Sequence, residues 1–169
     1  MNTLLAAAET KPDAAFERAW NCHRERVFRL VVRLSGSREA ADDLTQDVAL
    51  QAAQAFPKFR GQAQAFTLFY KIAVRCVLRW RAQRNTLRGS GEALLESIPA
   101  PSCDPTTMVT VQAALSTLHD DQRTVLVLAV YEQLSYKEIA AVLEIPLGTV
   151  MSRLARARQQ LRKELSDVL

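Results

Sequence analysis

Two stretches of the chain carry cations at helical spacing and could bind a polyanion. Six cations and no acid lie between Lys71 and Arg88, and Lys71, Arg75 and Arg79 recur at every fourth position. The second stretch, residues 153–163, holds four Arg and one Lys. Such clustering is typical of surfaces that bind nucleic acid or, less often, an anionic membrane. A solvated basic helix face is the alternative, because basic runs are common on protein surfaces.

The second basic stretch lies in a pattern that is typical of a helix-turn-helix. Ser135 and Glu138 form a capping box that would open a short helix, and Pro146 would precede the first turn of a second one. The second helix would bury an apolar stripe made of Leu147, Val150, Leu154, Ala157 and Leu161. Its outward face, where a recognition helix meets the major groove, would carry Thr149, Ser152, Arg153 and Arg156. An ordinary helical hairpin with a solvated basic face is the alternative.

Helical periodicity also dominates the rest of the chain and predicts an all-α fold. A first amphipathic helix would run from about residue 13 to residue 34 and end at the Ser-Gly-Ser cluster 35–37. Ser37 could cap a second helix that buries Ala41, Leu44, Val48 and Ala52. A third helix would run from about residue 65 to residue 84. Strand signals are almost absent, since neither sustained alternation nor an Asn-Gly or Asp-Gly turn occurs.

A linker divides the chain into two parts. Residues 87–107 hold three of the six prolines and two of the five glycines, a composition with little capacity to form a core. We therefore expect a tail at 1–12, a first domain at 13–86, a flexible linker at 87–107 and a second domain at 108–169. Each small helical domain has little core of its own, so docking on a large partner is expected.

The charge is distributed unevenly along the chain. Residues 1–91 carry 15 Lys and Arg against 8 Asp and Glu, a net charge of +7, whereas residues 92–144 carry 2 against 8, a net charge of −6. Residues 145–169 return to +3, with 5 cations against 2 acids. Two basic blocks therefore flank an acidic middle, although the net charge of the whole chain is only +4.

Composition and targeting signals favour a soluble cytoplasmic protein. The chain is 49% hydrophobic and 24% charged, and its longest apolar run, residues 125–131, is too short to span a bilayer, so no membrane insertion is expected. The first residues lack the basic start and long apolar stretch of a signal peptide. Three scattered cysteines, Cys22, Cys76 and Cys103, favour a reducing compartment over a disulfide framework.

Enzymatic function and a metal site are not expected. The chain offers no triad, P-loop or glycine-rich phosphate cradle, and Cys22 and His23 point to different helix faces. The cysteines and histidines do not have metal-ligand spacing, so we expect no metal and no cofactor. Three binding functions remain open: a polymerase-dependent transcription factor, a free-standing helix-turn-helix repressor that acts without polymerase, and a surface-bound basic helical protein.

Three stretches together resemble one family. LSYKEIAAVLEIPLGTVMSRLARARQQLRK, residues 134–163, resembles region four of the extracytoplasmic-function sigma factors of bacterial RNA polymerase. Residues 40–61, AADDLTQDVALQAAQAFPKFRG, resemble sigma region 2.2, and residues 66–84 resemble the helix of regions 2.3 and 2.4. A helix-turn-helix alone is shared with many regulators, but the pair of regions is specific. The resemblance implies that the first domain is a sigma region 2 bundle and the second a sigma region 4 helix-turn-helix.

The resemblance also implies partners and roles for particular residues. Core RNA polymerase would be bound at its beta-prime coiled coil by Asp43, Gln46, Asp47 and Leu50, and at its beta flap by region 4. The loop from Phe59 to Ala65, with Arg60, would capture an unstacked base of the minus-ten element, while Lys71, Arg75 and Arg79 would face nearby phosphates. The helix that carries Thr149, Ser152, Arg153 and Arg156 would read the minus-thirty-five element of promoter DNA. An anti-sigma factor would hold the protein inactive.

Overall fold

The computed structural model describes residues 14–58, 65–88, 115 and 117–166, and every regular element within these ranges is helical. The helices are α1 (Ala14–Ser35), α2 (Arg38–Ala55), α3 (Ala65–Arg88), α4 (Asp120–Val130), α5 (Tyr136–Leu143) and α6 (Leu147–Ser166), with a 3₁₀ turn at Phe56–Lys58. The expected all-α fold is confirmed. None of the described helices is both long and apolar enough to cross a membrane.

The first three helices pack against one another as an N-terminal bundle. Gly36, with a φ of 72°, makes the turn between α1 and α2, a conformation that glycine adopts without strain. Ser37 then caps α2, because its Oγ accepts a hydrogen bond from the backbone N–H of Ala40 at 3.2 Å. The bundle core contains Val27, Leu30, Val48 and Val77, which are fully buried, and the other α2 residues expected inside are buried as well.

The last three helices form a C-terminal bundle around α4 and α6. The capping box is present: Ser135 Oγ accepts from the Glu138 N–H, and Glu138 Oε2 accepts from the Ser135 N–H at 2.8 Å. The Ser135 hydroxyl also donates to Glu138 Oε2 at 2.7 Å, and this bond, with that from the Ser135 N–H, holds the pKa of the Glu138 carboxyl below its usual value. Glu144 then ends α5 in the left-handed conformation, with a φ of 55°, which turns the chain sharply before α6.

The apolar stripe of α6 is confirmed except at its first position. Val150, Leu154 and Ala157 are at most 1% exposed, and Leu161 is half-buried. Leu147 was expected inside but is 40% exposed. The residue stands at the very start of the helix, one turn before the stripe meets α4 and α5, so nothing in the bundle covers it.

The two bundles are packed against each other, α3 against α5 and α1 against α4. This docking was not predicted from the sequence. Helix α3 continues to Arg88, one turn beyond its expected end at residue 84. Apart from residues 87 and 88, the proposed linker at 87–107 lies outside the described residues, as does the tail at 1–12.

Candidate nucleic-acid and polymerase interfaces

The polymerase-binding residues expected on α2 share one exposed face. Asp43, Gln46, Asp47 and Leu50 all lie on this side of the helix, and the Leu50 side chain is 64% exposed. The opposite side of α2 packs into the bundle core, which fixes the orientation of the face. Two carboxylates and an amide therefore surround a single apolar side chain. Such a surface suits a basic helical partner, because the charges attract it and the leucine offers an apolar contact.

The expected recognition helix presents only part of its polar face to solvent. Ser152 and Arg156 are exposed, whereas Thr149 is half-buried. Ser152 Oγ donates a hydrogen bond to the Thr149 carbonyl at 3.1 Å. Arg153 Nη2 lies 2.7 Å from Asp121 Oδ2, and its side chain is 27% exposed. Arg156 is therefore free to reach a base edge, while Arg153 is held by a carboxylate of its own bundle.

The basic stripe of α3 faces the other bundle. Lys71 and Arg75 both form ion pairs with Glu144, the residue in the left-handed turn after α5. Hydrogen bonding and attraction to these two cations hold the pKa of the Glu144 carboxyl below its usual value. Arg79, one turn further along α3, is exposed. Two of the three α3 cations expected to contact DNA are thus engaged by a carboxylate of the second bundle.

A second interdomain contact centres on Glu132, which sequence reasoning did not single out. Its side chain is 4% exposed, and Oε1 lies 2.9 Å from Arg33 Nη1. Tyr70 donates its hydroxyl to Oε2 at 2.5 Å, and Arg26 Nη2 approaches the same oxygen at 3.8 Å. Burial and the bond to Glu132 raise the pKa of Tyr70 well above its usual value. The carboxylate therefore has strong donors on both oxygens, which is what a buried charge requires.

A third ion pair joins the far end of α3 to the start of α4. Arg81 Nη2 lies 2.8 Å from Asp120 Oδ1, and Arg81 Nη1 donates to the Leu34 carbonyl at 3.2 Å. Next to it, the buried Arg123 donates to the carbonyls of Leu115 and Leu118. Burial lowers the pKa of Arg123 to about 10 and lowers that of Arg81. Asp120 lies against this pair of cations and reduces its electrostatic cost.

The uneven charge of the sequence was the signal that could have revealed this docking. The acids at 120, 132 and 144 all belong to the segment with a net charge of −6, and they meet cations of the segment with a net charge of +7. Attraction within the chain explains both halves of the pattern. The sequence pattern assigned the basic stretches to an external polyanion, nucleic acid or less often an anionic membrane, and gave the acidic segment no binding role.

The loop expected to capture a base cannot be placed, because Arg60 and the rest of segment 59–64 are outside the described residues. Phe69 is fully buried, where its ring packs edge-on to Trp20 at 5.4 Å, so this aromatic side chain belongs to the core. Among the described residues, no group of His, Cys, Asp and Glu could hold a metal ion.

Comparison with known protein families matches both bundles. The family model for sigma-70 region 2 matches residues 19–86, and the one for sigma-70 region 4 matches residues 108–161. Among solved structures, the sigma factor RpoE of Bartonella quintana, in complex with the anti-sigma factor NepR, superposes with a TM-score of 0.74 at 24% identity. That match covers 90% of this chain and 97% of the other. CnrH, in complex with the cytosolic domain of CnrY, gives a TM-score of 0.67 at 23% identity, over 90% and 88% of the two chains.

Curated relatives agree with the family models. The sigma factor SigE of Mycolicibacterium smegmatis is 36% identical, over 85% of this chain but only 59% of its own length. RNA polymerase sigma-H factor of Pseudomonas aeruginosa is 30% identical, over 87% of this chain and 84% of its own length. SigC of Mycobacterium tuberculosis is 34% identical, over 94% and 88%. The chain therefore belongs to the extracytoplasmic-function sigma factors of the sigma-70 family.

Proposed function

We propose that this sigma factor binds core RNA polymerase mainly through the exposed face of α2 and carries it to promoters that both bundles contact. The observation that carries the proposal is the face itself: Asp43, Gln46, Asp47 and Leu50 stay exposed while the two bundles are docked. The N-terminal bundle then corresponds to region 2, at about residues 13–86, and the C-terminal bundle to region 4, at about 108–169. Region 4 would add a second contact, at the polymerase beta flap.

The α2 face fits the beta-prime coiled coil in charge and shape. A basic helical hairpin would lie along the carboxylates of Asp43 and Asp47, with Leu50 inserted between its side chains. An apolar centre surrounded by a polar rim is the usual arrangement of a protein interface. The face is on the opposite side of α2 from the core, so changes there should leave the bundle intact.

The test is a charge reversal on this face with a matched control. Gln46→Ala combined with Asp47→Lys should weaken binding to core polymerase by at least about tenfold, since close interfacial charge pairs couple by about 1.5 kcal/mol or more. Glu25→Lys makes the same charge change at an exposed position of α1 and should leave core affinity unchanged. Binding is measured by titration with labelled protein, and folding by circular dichroism. Equal affinities of the two variants would remove α2 from the polymerase interface.

We propose that promoter DNA is contacted by both bundles. The outward face of α6, with Thr149, Ser152, Arg153 and Arg156, would enter the major groove of the minus-thirty-five element. Lys71, Arg75 and Arg79 of α3, with Arg60, would lie along phosphates at the minus-ten element. A footprint with two unlike boxes that requires core polymerase supports this assignment. A palindromic footprint made by the chain alone would instead indicate a free-standing repressor.

Control by an anti-sigma factor completes the proposal. Both similar structures are complexes, one with the anti-sigma factor NepR and one with the cytosolic domain of CnrY. We propose that a protein of this kind holds the present chain in the cytoplasm and covers its polymerase-binding surfaces. The sigma factor itself would catalyse no reaction, because its role is to position polymerase and DNA.

A further inference from the structure

We propose that region 4 carries an internal substitute for DNA phosphates: Asp120, Glu132 and Glu144 occupy the cations of region 2 and hold the free chain closed against promoter DNA. This inference rests on the proposed function, because it assigns regulation to the same α3 surface. Carboxylates and phosphates are alternative partners of Lys and Arg, which bind the oxygens of either through charge-assisted hydrogen bonds. A region 4 carboxylate paired with an α3 cation therefore competes with a phosphate for that cation.

The contacts are arranged along the whole interface. Asp120 pairs with Arg81, Glu132 with Arg33 and Arg26, and Glu144 with Lys71 and Arg75. The three acids come from the start of α4, the turn after α4 and the turn after α5, so they are separate elements that converge on α1 and α3. Every one of the three meets a cation of the other bundle. Such matching along a surface is the electrostatic complementarity of a specific interface.

Two of the paired cations, Lys71 and Arg75, were expected to bind DNA. Lys71 has a side chain that is 28% exposed, and both Lys71 and Arg75 are paired with Glu144. A cleft between the bundles is lined by Lys71, Arg75, Leu78, Leu143, Asp121 and Arg153. The basic stripe of α3 and the first turns of the recognition helix thus share one cleft. A phosphate can pair with Lys71 or Arg75 only by displacing Glu144, whereas Arg79 stays exposed.

The spacing of the two promoter boxes gives an independent argument. From position −35 to position −10 is about 25 base pairs, roughly 85 Å at 3.4 Å per pair. Helix α6 spans only about 30 Å, at 1.5 Å per residue over its 20 residues, and its Arg153 lines the same cleft as Lys71 and Arg75 of α3. The closed chain therefore cannot reach both boxes at once. Residues 89–107 of the expected linker could span about 65 Å if fully extended, and the bundles on either side add to that reach, so separated bundles could contact both boxes.

Glu132 lies at the centre of the contact between the two bundles. Its carboxylate is nearly inaccessible to solvent, and both oxygens accept bonds from residues of the other bundle. Arg33 also lies over the ring of Tyr131 at 4.9 Å, which extends the same contact. Removing the Glu132 charge should weaken docking at its centre, whereas removing that of Glu144 should uncover the α3 cations at its edge.

The experiment measures DNA binding by the free full-length chain, without polymerase. The double variant Glu132→Gln, Glu144→Gln is compared with the control Glu25→Gln, Glu164→Gln, which has the same net charge but changes an exposed residue of α1 and one in the last turns of α6. The probe is a short labelled DNA duplex of arbitrary sequence, and its binding is measured by fluorescence anisotropy. If about a tenth of the wild-type chain is open, complete opening tightens the apparent Kd about tenfold.

A second comparison shows which residues the opening exposes. The double substitution Lys71→Ala, Arg75→Ala should change DNA binding little in the wild-type chain, where Glu144 is paired with both cations. In the open double variant the same two alanine substitutions should remove most of the gained DNA affinity. They should also lower the dependence of the DNA-binding constant on salt concentration by about two phosphate contacts. Equal losses in the two backgrounds would overturn the proposal, as would a double variant that binds no tighter than its control. Circular dichroism checks folding, and Glu144→Gln alone, at an exposed residue, should show a smaller increase in the same direction.

These outcomes are separate from those of the proposed function. If the wild-type chain failed to give promoter-specific transcription with core polymerase, the assignment of α2 and α6 would fall. The measurements on the free chain would still decide whether region 4 carboxylates compete with DNA. A chain that transcribes normally but shows no gain in the double variant would retain the function and lose only the closed form.

Discussion

Glu132 and Glu144 make the same kind of contact in two different surroundings. Both are region 4 carboxylates that bind two basic side chains of region 2. The Glu132 side chain is 4% exposed, whereas that of Glu144 is 49% exposed. A buried charge that loses its partners has no water to replace them, while an exposed one has. We conclude that Glu132 fixes how the bundles dock and that Glu144 is a cover that DNA can displace.

We expect the largest loss of stability when the buried Glu132 is replaced. Glu132→Ala leaves Arg33 and the Tyr70 hydroxyl without their shared acceptor, so we expect the free energy of unfolding of the closed chain to fall by about 3 kcal/mol. Urea denaturation followed by circular dichroism measures the change. A loss below about 1 kcal/mol would mean that the Glu132 contact is no different from an ordinary surface pair.

Tyr70→Phe tests the same site from the other bundle. The phenylalanine ring keeps the packing of Tyr70 but removes the hydroxyl that donates to Glu132 Oε2 at 2.5 Å. One oxygen of a buried carboxylate then loses its closest donor, and we expect a loss of about 1–3 kcal/mol. Thermal unfolding of Tyr70→Phe, Glu132→Gln and the double variant gives the coupling between them. Strictly additive effects would show that the two side chains do not act together.

We expect a much smaller loss of stability when the exposed Glu144 is replaced. Glu144→Gln removes the charge that pairs with Lys71 and Arg75, but water solvates both partners once they are released. We expect the free energy of unfolding to change by less than about 1 kcal/mol. Urea denaturation beside Glu132→Gln makes the comparison direct. A larger loss for Glu144→Gln than for Glu132→Gln would reverse the roles assigned to the two carboxylates.

Low pH should abolish the stability contribution of the Glu144 ion pairs. Because Lys71 and Arg75 hold the pKa of Glu144 below its ordinary value of 4.5, the folded chain favours the charged form. Its contribution is present above pH 4.5 and is lost as the pH falls through the lower, folded-state pKa. The difference in urea midpoint between the wild-type chain and Glu144→Gln should therefore shrink to zero in that acid range. A difference that stays constant with pH would show that the charge of Glu144 is not responsible.

Local patterns in the sequence predicted the helices and their caps. Ser37 and the Ser135–Glu138 box each place their signal within four residues of the helix start, and both caps are present. Burial along α6 followed from helical spacing, except at Leu147, where a terminal residue has no neighbour to cover it. Short-range rules suffice for such features because both partners lie within one or two turns.

The docking of the bundles could not be predicted in the same way. Tyr70 and Glu132 are separated by 62 positions, and Lys71 and Glu144 by 73. No periodicity connects residues so far apart, and Glu132 looks like an ordinary polar residue after an apolar run. Only the opposite charges of the two segments indicated attraction, and they do not specify which side chains meet. The same reason applies to Arg153, whose partner Asp121 lies on a different helix.

The separation of the bundles tests the central claim most directly. Cys22 is exposed on α1, Cys76 is buried, and Gln159 is exposed on α6, so a chain with Gln159→Cys and Cys103→Ser can carry one nitroxide label on each bundle. Electron spin resonance then gives the distance between α1 and α6. We predict one short, narrow distance distribution in the free chain and a shift to longer distances when core polymerase and promoter DNA are bound. The same short distance in both states would contradict the account, because a closed chain cannot contact two boxes about 85 Å apart.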